Sequence, residues 1–235
     1  EKDIKKIYEL NDLYSSHRKK LNNKKSLHLR KISNNRKAKQ LSFFLKQKNK
    51  SILDYGSGNN SFLESCNKLK FKNLYSFDIE FKKDEFDGKI FKTNNLEKLN
   101  KKFDAITLWG VLEHMRFPLN ELSKIKKKLT RKGSIIVLDI PSSDSLLSHA
   151  LFKSDFSTNR YLEPYRHLVF FSKNFISNIC KKLNLKIVLL ETNGLDVQTI
   201  LSSSEKSINN FLINKQLLID ELNLGDHYRV FLKSI

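Results

Sequence analysis

At 235 residues the chain has the length of one α/β domain, and 39% apolar with 11% aromatic residues excludes wholesale disorder. No apolar stretch approaches the roughly 20 residues of a membrane helix, and the basic N-terminus lacks the apolar core of a secretion signal. A formal net charge of +19 admits an anionic partner, yet lysine outnumbers arginine several-fold and is scattered, as on a solvated basic surface.

Residues 1–35 read as a basic arm or cap, with Lys19, Lys20, Lys24, Lys25, Arg30 and Lys31 clustered there. Residues 36–235 read as one α/β domain with a doubly wound, Rossmann-like, seven-stranded and mostly parallel sheet. An amphipathic helix is expected over 36–46, a strand over 51–55, a helix over 61–69 and a second strand over 73–77. A short third strand follows over 89–91, a fourth over 103–108 and a helix over 119–129. The most apolar strand, 134–140, starts after Gly133 and ends at Pro141; its near-continuous hydrophobicity fits a central strand.

The regular alternation then breaks. Residues 142–171 form a connection too long for an ordinary loop. Ser172 caps a helix through Leu183, a strand follows over 185–190, and 193–224 make a second insertion. The last strand, 227–232, reads as an edge or hairpin partner. Cys66 and Cys180 match no metal spacing and fall on apolar helix faces, which reads as buried thiols in a cytoplasmic protein.

The segment Asp54-Tyr-Gly-Ser-Gly58 joins an apolar strand to a helix. Glycine there permits a tight turn and close approach of a ligand, and loop amides can donate to an anion. The third glycine of the dinucleotide fingerprint is absent, which fits a nicotinamide enzyme less well. Asp78 ends the second strand (78 − 54 = 24 residues on), where an acid can accept from a ribose hydroxyl pair. Phe103-Asp-Ala-Ile-Thr-Leu-Trp-Gly-Val-Leu-Glu-His114 then spans the fourth strand.

In that order these segments resemble class I S-adenosylmethionine-dependent methyltransferases, in the branch with ubiquinone-pathway and cell-surface-sugar enzymes. The resemblance covers roughly residues 36–192. It implies S-adenosylmethionine as cofactor, with Asp54, Gly56, Ser57 and Gly58 at its methionine part, Asp78 at the ribose and Ile79 against the adenine. Asn95 and Leu96 match an adenine-edge pair, with Asn replacing the usual Asp, and Leu108 and Trp109 match the wall beside the sulfonium. Core packing is the other reading for Trp109.

Methyl transfer to oxygen needs an aligned nucleophile and usually a base, for which histidine is the commonest choice. Two histidines fall where ligands bind in open α/β sheets. His114 follows the fourth strand; His167 lies in Tyr165-Arg-His-Leu, a segment similar to one in the same branch. There His167 is a candidate general base, with Tyr165 and Arg166 as candidate anchors of an anionic group; a packing role closing the lid is the alternative. In ubiquinone-pathway enzymes Glu-x-x-Glu-His can hold a divalent metal. Gly110 replaces the first Glu here, so no metal is expected; His114 is the second catalytic candidate, and a structural or pocket-lining role for Glu113 and His114 is the other reading.

The favoured function is methyl transfer to a small-molecule, potentially anionic acceptor, such as an oxygen of a sugar or sugar nucleotide. Alternatives are an RNA or protein methyltransferase using the basic surface, or a non-catalytic cofactor-binding subunit.

Overall fold

The computed structural model describes residues 24–145, 148–149, 167–194 and 222–235. In chain order they form α1 (Lys24–Leu45), β1 (Ser51–Tyr55), α2 (Ser61–Lys68), β2 (Asn73–Phe77), β3 (Glu85–Phe86), β4 (Ile90–Thr93) and β5 (Phe103–Trp109). There follow α3 (Pro118–Leu129), β6 (Thr130–Pro141), α4 (Lys173–Lys182), β7 (Leu185–Asn193) and β8 (His227–Ser234). Single 3-10 turns at Leu96–Lys98 and Leu112–His114 follow β4 and β5.

The strands make one sheet in the order β3-β4-β2-β1-β5-β6-β8-β7. β4, β2, β1, β5 and β6 run parallel, as the helical crossovers require. β3 pairs antiparallel with β4, and β8 lies antiparallel between β6 and β7. The expected seven strands are therefore eight: two-residue β3 is too short to carry a readable period. The last strand is not at the edge, since both of its sides are paired.

Sheet alternation explains the two cores. Ile106 and Leu108 of β5, Ile136, Leu138 and Ile140 of β6, and Tyr228, Val230 and Leu232 of β8 face α3 and α4. Ile52, Ala105, Ile135, Val137 and Phe231 face α1 and α2, meeting Ala38, Leu41 and Leu45 at helical spacing. Phe44 stacks on Phe231 with ring centroids 4.7 Å apart. Cys66 and Cys180 are free and buried in opposite cores, where burial pushes both thiols up.

α1 begins at Lys24, so it runs across the expected boundary at residue 35. Ser172 caps α4 as expected, accepting from the Phe175 amide at 3.1 Å. Among the described residues no helix is long and apolar enough to cross a membrane.

Candidate active site

The β1–α2 loop turns on two glycines in the left-handed region, Gly56 at φ 74° and Gly58 at φ 54°. A Cβ on Gly56 would meet Val111 Cγ2 at 2.6 Å, whereas one on Gly58 would meet nothing within 4 Å. Gly56 thus fits its loop against the end of β5, and Gly58 faces open space. Loop amides open to an anion are expected from sequence; three of them are instead bonded within the protein. Those of Gly56 and Ser57 donate to Phe77 O at 2.7 and 3.2 Å, and that of Gly58 donates to Asp78 Oδ2 at 2.8 Å. Ser57 and Ser76 hydroxyls also bond, and Ser76 donates to Asn60, whose left-handed backbone starts α2.

Asp78 leaves the end of β2 with its carboxylate at the rim, accepting also from the Glu80 amide at 2.9 Å. Ile79 beside it is 43% exposed, an apolar surface next to an acid. Asn95 Oδ1 caps the following 3-10 turn through the Glu97 amide at 2.9 Å, and Leu96 packs against the core. An open glycine, a rim acid and an exposed apolar side chain side by side suit a nucleoside.

Two expected cofactor residues are inside the protein. Leu108 is fully buried among the α3-side apolar residues, so its side chain builds the core and not a pocket wall. Asp54 is 2% exposed and accepts from Thr107 Oγ1 at 2.6 Å. Burial raises its carboxyl to about 7, against the lowering effects of Thr107 and Lys37.

Trp109 ends β5 on the α1 side. Its ring packs on Phe62 at 5.0 Å, lies 4.4 Å from Lys37 Nζ and 5.7 Å from the Arg229 guanidinium, and its buried Nε1 has no acceptor among the described residues. Around it lies an ionic cluster that sequence reading missed. Asp139 takes Arg229 Nη2 at 3.1 Å and Lys37 Nζ at 3.6 Å, and Arg229 Nη1 reaches Glu191 at 3.3 Å and Gln40 at 3.1 Å. Burial alone would raise Asp139, but Lys37, Arg229 and His227 hold it down at about 2. Burial lowers Lys37, partly offset by Asp139. The available signal was a lone charge in each of two apolar strands, Asp139 and Arg229.

The carboxyl ends of β5 and β6 and the amino end of β8 bring the remaining groups together. His227 Nδ1 lies 2.8 Å from Asp226 Oδ1; burial would lower its pKa, but Asp226, Asp139 and Glu113 raise it. The connection after β6 is anchored at both ends: Ser142 bridges Phe171, and Phe171 donates to Pro141 O at 3.0 Å. Leu168 N donates to Glu113 O at 2.8 Å, which seats His167 beside the turn after β5. The rings of His114 and His167 are 5.1 Å apart, and one ligand atom each from Glu113, His114 and His167 lies within 4.8 Å of the others. Tyr165 and Arg166 lie outside the described residues.

A family model described as a methyltransferase domain matches residues 28–190, more than half of the chain. The chain belongs to the methyltransferase-domain family. S-adenosylmethionine is the methyl donor of enzymes with this class I fold, and the enzyme assignment follows from the family. This methyltransferase is 28% identical over 106 residues to a tRNA U34 carboxymethyltransferase of Campylobacter fetus, covering 40% of this chain and 38% of that protein. The chain thus spans well under half of that curated relative.

Two solved structures resemble the whole methyltransferase in fold. Magnesium protoporphyrin IX methyltransferase from Synechocystis PCC 6803 with bound S-adenosylhomocysteine is 13% identical, with TM-score 0.62 and full coverage (100%) of both chains. The plantazolicin methyltransferase BpumL, bound to S-adenosylhomocysteine and a monoazolic desmethyl analogue, is 16% identical with TM-score 0.61, covering 100% of this chain and 98% of that one.

Proposed function

We propose that this methyltransferase binds S-adenosylmethionine over the β1–α2 loop and transfers its methyl group to an oxygen of a small-molecule acceptor, a sugar or sugar nucleotide being the favoured class. The observation that carries the reading is the position of His167 beside Glu113 and His114, where the connection after β6 meets the turn after β5. It supports a group able to take a proton from the acceptor.

The cofactor supplies a methyl group on a positively charged sulfur, so the carbon is already activated. The chain's own residues bind and orient. Asp78 accepts from the ribose hydroxyls, Ile79 covers the base, and Gly58 leaves room for close approach. Trp109 gives an aromatic wall, already stabilising cations at Lys37 and Arg229. His167 receives the acceptor proton, with Tyr165 and Arg166 as anchors for a negative group on the acceptor.

An RNA acceptor is the second reading, supported by the tRNA-modifying relative and the +19 charge. Calorimetry with S-adenosylhomocysteine tests the cofactor step, and methyl release against sugar nucleotides and against tRNA tests the acceptor. Binding that disappears in Gly58→Arg/Asp78→Ala, with turnover on a sugar nucleotide, supports the proposal. Turnover on tRNA alone would favour the second reading, and cofactor binding without turnover on either would favour a non-catalytic subunit. No binding by the native chain would overturn all three.

A further inference from the structure

A second concave region lies at the end of the sheet opposite the β1–α2 loop. There α3 ends at Leu129 and α4 at Lys182, beside the start of β6 and the end of β8. An open cleft of about 480 Å³ lies between them, lined by Lys126, Lys127, Arg131, Lys132 and Lys182 and by no Asp or Glu side chain. Arg131 pairs with Asp104, whereas the four lysines are in no ion pair among the described residues. Lysine near a helix C-terminus is the ordinary complement of the backbone dipole. Two helix ends supply only roughly half a negative charge each, so four lysines leave a positive excess for an anion to neutralise.

A smaller groove of about 240 Å³, lined by Tyr75, Phe91, Lys98 and Lys101, adjoins the cleft. Lys102 Nζ donates to the Lys127 carbonyl at 2.6 Å and Lys128 pairs with Glu97, which holds the segment before β5 against the last turn of α3. Strand register sets Phe86, Phe91 and Tyr75 in one row on one face of the sheet. The row grades from Phe86, 66% exposed, to half-buried Phe91 and Tyr75, whose ring centroids are 6.0 Å apart. A single 3-10 turn, and not a helix, follows β4, so this part of the face stays open. Lys98 is paired with Asp84 at 2.6 Å, but Lys101 stands 4.4 Å over the Tyr75 ring with no ion pair among the described residues.

We propose that a single-stranded nucleic acid crosses this end of the protein, with its phosphates in the lysine cleft and a base on the Phe86–Phe91 row. Lysines alone would suit any polyanion. Aromatic rings beside them suit a strand whose bases are unstacked, and a duplex keeps its bases inside. The inference does not rest on the proposed methyl acceptor. The cleft lies at the amino ends of the parallel strands, and the β1–α2 loop at their carboxyl ends.

The test uses the full chain and a labelled, unstructured RNA oligonucleotide, with binding read by fluorescence anisotropy over a salt series. About four phosphate contacts on a single strand give log K against log salt a slope of about −3. Lys126→Gln/Lys132→Gln/Lys182→Gln is expected to lower affinity at least about tenfold and to flatten that slope by about 2. Lys39→Gln/Lys68→Gln/Lys72→Gln makes the same charge change at exposed positions on the α1–α2 side, and is expected to keep affinity within about twofold. Phe86→Ala is expected to weaken binding at least about fivefold with the slope unchanged. The unfolding midpoint and S-adenosylhomocysteine affinity are expected to hold in every variant. No RNA binding by the native chain, or equal loss in the two lysine variants, would overturn the inference. So would unaltered binding by Phe86→Ala together with equally tight, cleft-dependent binding to phosphatidylserine vesicles, since an anionic surface would then be the ligand. Cleft-dependent RNA binding by a chain that does not take S-adenosylhomocysteine would support the inference and sink the proposed function.

Discussion

Arg229 and Asp139, 90 residues apart in the chain, pair at 3.1 Å as opposite members of adjacent antiparallel strands, each with less than a tenth of its side chain exposed. Their register sets the pair on the α1 side of the sheet, in line with Val137 and Phe231. Lys37 from α1 and Glu191 from β7 complete the charge balance. Removing one member leaves a buried, uncompensated charge. Asp139→Asn and Arg229→Met are each expected to cost about 3–5 kcal/mol, read from urea unfolding. A loss below about 1 kcal/mol for both would mean that water screens the cluster.

The same cluster predicts an acid limb of stability. Asp139 lies at about 2 in the folded protein, below its ordinary 3.8. A carboxyl with a depressed folded pKa contributes stability that is present above its unfolded value and lost as pH falls through the folded one. Asp54 behaves in the opposite sense. Its folded value is about 7 against an ordinary 3.8, so the folded chain holds a proton that the unfolded chain has released between those limits. Stability from Asp54 is therefore full below about pH 4 and declines as pH rises to 7. Asp54→Asn removes that decline. The melting-temperature difference between native and Asp54→Asn chains should move in the variant's favour from pH 5 to pH 8. A difference independent of pH would show that Asp54 ionises normally.

Much of the fold was legible because its signals are local. The run Ser51–Tyr55, two glycines and the Ser61–Lys68 helix follow from apolar continuity and turn chemistry within a dozen or so residues. The start of α1 was missed because 24–35 has few apolar residues to show a helical stripe. The Lys37–Asp139–Arg229 cluster was invisible for a different reason. Alternation puts Asp139 on one sheet face, but only the insertion of β8 between β6 and β7 brings Arg229 to it. His114 and His167 were both legible as candidates; their meeting depends on the Leu168–Glu113 backbone bond, which no spacing rule gives. Leu108 and Asp54 were placed at the cofactor by the family resemblance, which carries no face direction, and both side chains are buried.

At the Asp78 rim the expectation is a loss of affinity without a loss of fold. Asp78 is partly exposed and, among the described residues, its carboxylate accepts from the nearby loop amides of Gly58 and Glu80. If it accepts from a ribose hydroxyl, Asp78→Ala removes a hydrogen bond to a charged group worth about 1.5–3 kcal/mol. S-adenosylhomocysteine affinity should fall by roughly 10- to 150-fold in calorimetry, while the unfolding midpoint stays close to that of the native chain. Unaltered affinity would remove Asp78 from the cofactor site.

Gly56 and Gly58 differ in a way that one substitution each can separate. Both have left-handed backbones, which cost an ordinary residue about 1–2 kcal/mol. At Gly58 that is the whole expected cost, because the space above it is open. At Gly56 a methyl group also meets Val111 at 2.6 Å, adding overpacking of about 1–3 kcal/mol. Gly56→Ala should therefore unfold at lower urea than Gly58→Ala. Pairing Gly56→Ala with Val111→Ala should recover part of the difference, because the second change removes the methyl groups that collide. Cofactor affinity orders the two variants the other way: Gly58→Ala intrudes on the open side of the loop, and Gly56→Ala does not. If both substitutions weaken S-adenosylhomocysteine equally at matched stability, the open face of Gly58 is not where the cofactor lies.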